Sequence, residues 1–229
     1  MVIIFSNNSE AQEGGTTKLN ISWLALTLSV ILLTAGCANT SVKDQVAVKD
    51  GIELRFEDFP GSSIPTFVAT VRIESSVGNL MAMLMDFSSW PNWAYGCERI
   101  DVLQTIGYTE AYVYQVTNVP VIRDRDSILH AISTVSDGEV VIDFESAPDY
   151  CLNNDKSACE STKNSSLIRV RQMSGSFSLK QVSAKEVDVT WLQHQDPGGL
   201  VPDFLVRLNL KDIPLKSLSR LKVLAESSN

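Results

Sequence analysis

The chain has 229 residues, 44% apolar and 20% charged, with a formal net charge of −8. This is the composition of a folded globular protein rather than a disordered one, and the length suits one sizeable core. The acidic balance excludes a basic footprint for nucleic acid and binding to anionic lipid head groups by charge alone.

Lys18 precedes an uncharged stretch, 19–42, whose apolar centre is 21–33. A positive flank, a short apolar run and small residues at its end predict a secretory signal. The run is too short for a comfortable transmembrane span, which needs about 20 apolar residues. Its end, Leu33-Thr-Ala-Gly-Cys37, resembles the lipobox of bacterial lipoproteins. That resemblance implies a signal peptide over 1–36, cleavage before Cys37 and acylation of that cysteine. Two or three acyl chains anchor a protein stably where one does not. Ala38 is not the aspartate that retains lipoproteins in the inner membrane, so the expected address is the outer membrane, facing the periplasm. Residues 37–50 read as the lipidated cysteine and a polar tether, and 51–229 as one domain.

Within the domain, 52–56 predicts a short strand, and Thr66–Glu74 predicts a second with Phe67, Ala69, Val71 and Ile73 on one face. Ser75-Ser76 can cap a helix from Val77 to about Phe87. Pro91 should break helical structure at Trp90. Apolar alternation and β-branched content then predict strands over 99–106, 110–116, 126–135, 140–145, 167–172, 175–182 and 187–194. Asn118-Val-Pro120, Asp137-Gly138 and Ser174-Gly175 are expected to turn between them. Asp196-Pro-Gly-Gly199 is a strong stop before a helix over 201–225. Phe204, Leu205, Leu208, Leu215, Leu218 and Leu221 form its apolar stripe, and Pro214 should kink it or split it in two. The order predicts an α+β fold, a curled antiparallel sheet gripping a long C-terminal helix. The space between sheet and helix is where an apolar ligand would sit.

Cys151 and Cys159 flank a polar loop suited to a short disulfide in an exported protein. Cys97 reads as a buried small residue. No zinc spacing accompanies these cysteines, and no other metal or cofactor motif is present.

Four segments together resemble the START lipid-transfer family: Met85-Asp-Phe-Ser-Ser-Trp-Pro-Asn-Trp93, Ile100-Asp-Val-Leu-Gln-Thr-Ile-Gly107, Val119-Pro-Val-Ile-Arg-Asp-Arg-Asp126 and Asp196-Pro-Gly-Gly-Leu-Val-Pro-Asp-Phe-Leu205. The resemblance runs from about Ile52 to the C-terminus. It implies a helix-grip fold, related to the Bet v 1-like proteins, with a tunnel beneath the C-terminal helix that holds one lipid or other apolar molecule. By the same resemblance Arg125 projects into the cavity, and Gln115 stands where sterol-carrying relatives supply a carboxylate. Arg125 then either awaits an anionic or hydroxyl-bearing head group or pairs with Asp124, Asp126 or Asp143. Trp93, Phe144, Phe177, Trp191, Phe204 and Leu208 are the expected lining. Pro120 and Val121 belong to the tunnel mouth, and Gly198-Gly199 is either a hinge below the gating helix or a tight turn.

The wider superfamily includes cyclases and hydrolases. Strand alternation puts His130 on the face opposite Arg125, His194 lies at a strand end, and no nucleophile elbow or paired histidine motif appears. Binding, transfer or sensing of a lipid by a membrane-tethered monomer is therefore the leading expectation. An enzyme of the same superfamily and a cell-envelope adaptor without a small ligand are the alternatives.

Overall fold

A computed structural model of the chain describes residues 47–118, 123–154, 157–163 and 166–228. The chain divides into two units, 1–39 and 40–229, and the described residues belong to the second. The signal segment, Cys37, the tether up to residue 46 and the Pro120–Val121 loop lie outside the described residues.

The domain is α+β. Its strands are β1 (Ala47–Lys49), β2 (Ile52–Glu57), β3 (Thr66–Glu74), β4 (Cys97–Ile106), β5 (Glu110–Thr117), β6 (Arg125–Ser136), β7 (Glu139–Ser146), β8 (Ile168–Arg169), β9 (Gln172–Ser183) and β10 (Glu186–Asp196). The helices are α1 (Val77–Met85), the one-turn α2 (Trp90–Trp93) and α3 (Tyr150–Asn153), and the long α4 (Asp203–Ser227). One sheet runs in the order β1-β2-β3-β10-β9-β7-β6-β5-β4, with β8 added parallel to β6 and every other pairing antiparallel. The last strand thus lies beside the third, a pairing remote in sequence.

The main core lies between this sheet and the helices. Ile52, Leu54, Ala69, Ile73, Leu179 and Val189 meet Leu80 of α1 and Leu218, Leu221 and Ala225 of α4. The C-terminal half of α4 is pinned by polar bonds as well. Ser217 Oγ accepts from the Tyr95 amide at 2.9 Å, and Lys222 Nζ donates to the Arg72 carbonyl at 2.8 Å. A smaller core on the other face of β4–β6 joins Tyr114, Val116 and Ile128 to the 147–167 excursion. The predicted disulfide, Cys151–Cys159, closes that excursion with Cα atoms 5.7 Å apart.

Four local expectations change. Trp90 is helical (φ −54°, ψ −39°) despite preceding a proline. Its indole N–H donates to the Leu84 carbonyl at 2.9 Å and its ring packs 4.7 Å from Trp93, contacts that override the local preference. Pro91 itself sits in the first turn of α2, where a missing N–H costs nothing. The expected strand over 167–172 shrinks to β8, which reaches only Arg125 and Asp126. Gly175, expected in a turn, is inside β9, opposite both Phe144 and Gln193. The last helix is one continuous element with Pro214 inside it, not two.

Candidate functional site

Two-residue periodicity sets one row of each central strand toward α4. On β5 that row is Val113, Gln115 and Thr117; on β6 it is Arg125, Ser127 and Leu129; on β10 it is Trp191, Gln193 and Gln195. These residues, with Phe144, Phe177, Trp90 and Ile213, line an internal space of about 70 Å³. A second space of about 70 Å³ adjoins it and shares Thr117, Arg125, Gln193, Gln195 and Ile213; Val206 and Leu210 of α4 roof it. A third recess of about 320 Å³ follows past Pro197 and Val201, between α4 and Phe56, Ile64 and Pro65. The row is aromatic at its inner end, where Phe177 stacks on Trp191 with ring centroids 4.9 Å apart. It is polar at the waist, where Gln193 donates to Gln195 at 3.1 Å beside Arg125.

Arg125 is 3% exposed. Its guanidinium donates to the carbonyls of Pro197 (3.3 Å), Gly198 (3.5 Å) and Arg123. Among the described residues it has no ion-pair partner. Burial and then the neighbouring charge of Arg123 push its pKa down, with Asp124 pulling it part of the way back; an arginine nevertheless keeps its proton. Of the carboxylates that might have neutralised it, Asp124 contributes its charge without an ion pair among the described residues, and the other two are engaged elsewhere or exposed. Asp126 points to the other face, where it accepts from Arg169 Nε (3.0 Å), Arg169 Nη2 (2.8 Å) and the Tyr114 hydroxyl (3.0 Å). Asp143 is exposed on β7. Gln115 is not the partner either: Thr117 stands opposite Arg125, while Gln115 stands opposite Ser127. Cys97 is buried, and its pKa is pushed up to about 11, chiefly by desolvation.

The structure therefore brings together Gln115, Arg125, Phe144, Phe177 and Trp191 around one space. Trp93 is fully buried but packs beside Trp90 and Phe177, behind the wall. Phe204 and Leu208 are corrected: they are 68% and 53% exposed, on the outer side of α4. Their apolar character suggested a lining role, but the helix turns Val206, Leu210 and Ile213 inward instead. Thr117, Gln193 and Gln195 escaped the sequence reading; the signal for the last two was polar residues in register with Trp191 on one strand. Gly198 and Gly199 both hold positive φ (66° and 67°), a conformation suited to glycine, in the loop whose Pro197 and Gly198 carbonyls accept from Arg125. Neither histidine lines these spaces. His130 pairs with Glu110 at 2.7 Å on the outer face, and His194 is buried against Phe59 with ring centroids 3.6 Å apart.

The START domain family matches residues 55–223. The chain is 23% identical over 180 residues to an uncharacterized protein of Pseudomonas aeruginosa, covering 78% of this chain and 84% of that one. Its fold is similar to the solved STAR-related lipid transfer protein of Xanthomonas axonopodis, with a TM-score of 0.68, 23% identity, and coverage of 79% of this chain and 97% of the other. Human StAR-related lipid transfer protein 5 gives a TM-score of 0.66 at 10% identity, covering 80% of this chain and 86% of the other.

Proposed function

Because the chain belongs to the START domain family, we propose that its domain binds a lipid or another hydrophobic small molecule beneath α4, with Arg125 at the ligand's polar end. The observation that carries this reading is a row of largely apolar spaces with one buried guanidinium at its waist. Three carbonyls satisfy its N–H directions, and Asp124 offsets its charge only in part without an ion pair, so the buried cation is still costly. A ligand bearing an acidic or hydroxyl head group would complete the site. Trp191 supports the same reading, since its buried indole N–H has no partner among the described residues. Each inner space, at about 70 Å³, is well below the roughly 300–1,000 Å³ of drug-sized ligand pockets. Loading a whole lipid therefore requires the N-terminal half of α4 to move away from the sheet. Gly198-Gly199 at one end and Pro214 at the other delimit the segment that would move.

Native mass spectrometry of purified protein, followed by solvent extraction and lipid identification, tests the proposal. A stoichiometric co-purified lipid is expected; no extractable lipid and no exchange between vesicles would overturn carriage. Arg125→Met should weaken binding of a polar-headed ligand about tenfold or more while the protein stays folded. Unchanged affinity would remove Arg125 from the site.

The Leu33-Thr-Ala-Gly-Cys37 sequence supports a lipid anchor on Cys37, and Ala38 after it supports an outer-membrane address facing the periplasm. A binding domain on a short tether samples the membrane at high effective concentration, which favours a tethered carrier or sensor over a free shuttle. Metabolic labelling with a fatty acid should mark the wild-type chain and not Cys37→Ser, and density fractionation of membranes reads the address. An unlabelled wild-type chain would sink the anchor.

A further inference from the structure

The waist between the first and second spaces is built from three strands. Thr117 of β5, Arg125 of β6, and Gln193 and Gln195 of β10 line both spaces. Among the described residues Arg125 is the only charged side chain lining the second space. The first space adds the Ser127 hydroxyl, and also Asp126, whose carboxylate is engaged by Arg169 and Tyr114 on the other face. The waist is thus one cation within a belt of neutral polar groups. That belt is removed from solvent, with Ser127 and Gln193 each 4% exposed.

The hydrogen bonds of the belt are incomplete. Gln193 Nε2 donates to Gln195 Oε1 at 3.1 Å. The Gln193 carbonyl, the Gln195 amino group and the Thr117 and Ser127 hydroxyls are then left without a partner among the described residues. A buried amide carbonyl needs a donor, and leaving it unmatched is costly. An ionised carboxylate accepts and cannot donate. A ligand that brought Arg125 only a carboxylate would therefore leave the Gln193 carbonyl unmatched. Hydroxyls and secondary amides do both: they donate to a carbonyl and accept from an amino group or a hydroxyl.

We propose that the site selects an amphiphile whose head carries two groups: an anion for Arg125 and, beside it, a hydroxyl or secondary amide for the Gln193–Gln195 pair. A β-hydroxy fatty acid and an N-acyl amino acid share this head chemistry, and both carry an apolar chain suited to the aromatic inner end. Gln193 is then a specificity-determining residue rather than a piece of wall, and Thr117 assists it from β5. A site whose buried polar groups are matched by a ligand O–H or N–H discriminates against the analogue that lacks it. This inference rests on the lipid-binding reading and narrows it from any polar-headed lipid to one with a two-group head.

The test uses the purified full chain, freed of co-purified lipid, in competition with a fluorescent fatty acid. The competitors are a saturated fatty acid, its β-hydroxy derivative and an N-acylglycine of matched length. At least one of the last two should bind about tenfold tighter or more than the plain acid. Preference for the hydroxy acid alone names a hydroxyl as the donor, and preference for the N-acylglycine alone names an amide. Gln193→Met keeps the length of the side chain but removes its amide, and should reduce the preference to about twofold or less. Thr117→Val keeps the shape of its side chain and should reduce the preference in the same direction; it carries the test where Gln193→Met does not fold. Equal affinity for the three competitors, or full preference in the folded variants, overturns the inference and leaves lipid binding in place. Failure of all three to bind overturns it as well, and an empty lipid extract from the original preparation would take the binding reading with it.

Discussion

Arg125 and Asp126 are adjacent on β6 and meet opposite surroundings, because successive strand residues face opposite sides of a sheet. Asp126 is matched by Arg169 and by a Tyr114 hydroxyl whose pKa is pushed up to about 12, first by burial and then by Asp126 itself. Arg125 bonds only to carbonyls, with the charge of Asp124 acting on it without an ion pair. Gly175 is another residue whose role lies in its neighbours. A Cβ there would stand 2.2 Å from the Leu192 carbonyl oxygen and 2.6 Å from the Phe144 ring. Gly175→Ala should therefore cost about 3 kcal/mol, at the upper end of overpacking penalties, since a backbone atom cannot step aside; urea denaturation measures it. His194 adds a pH dependence to stability. Burial pushes its pKa below the ordinary value, with Asp196 and the Pro65 carbonyl opposing. Its neutral form thus contributes stability that is complete above the unfolded-state pKa of about 6.5 and is lost as pH falls through the lower folded-state value. His194→Phe keeps an aromatic ring against Phe59 and should flatten the fall in urea midpoint between about pH 7 and pH 5. An unchanged slope would assign that fall to other groups.

At the scale of elements, α4 is two functional halves in one helix. The C-terminal half is fixed by Leu218, Leu221, Ala225 and the Ser217 and Lys222 bonds. The N-terminal half roofs the inner spaces through Val206, Leu210 and Ile213, the last two also touching the core. Pro214 lies at the boundary, and its missing N–H leaves the Leu210 carbonyl without its ordinary helical donor. Pro214→Ala restores that donor, so amide exchange over 203–213 should slow about tenfold or more, as read by hydrogen-exchange mass spectrometry. Unchanged exchange would remove Pro214 from the loosening of this half. The strands were legible because each repeats its apolar residues every second position; β3 appears with the expected bounds. The expected strand over 167–172 failed for a physical reason. Its apolar run packs the excursion against the outer face through Leu167, and only two residues reach a neighbouring strand.

At the scale of the molecule, the sheet order places β3, an early strand, against β10, the last. β5, β6 and β10 lie in the run β10-β9-β7-β6-β5 of that sheet and line one space, although Gln115 and Gln193 are far apart in the chain. Sequence by itself determined the α+β class, the order of the principal elements and the disulfide pair, because period-two and period-3.6 patterns, turns and loop spacing are local properties; the candidacy of Arg125 came from the resemblance of its segment to the START family. The helix-grip architecture entered through four short segments read together. Only the tertiary structure decided which side of α4 faces inward, that Gly175 must lie within a strand, and that Arg125 is held by the Pro197 and Gly198 carbonyls rather than by a carboxylate. Each of these depends on atoms brought together from distant parts of the chain. Phe204 and Leu208 show the limit most clearly: hydrophobicity marked them as residues that leave water, while the packing of Val206 and Leu210 decided that they do not do so inside this domain.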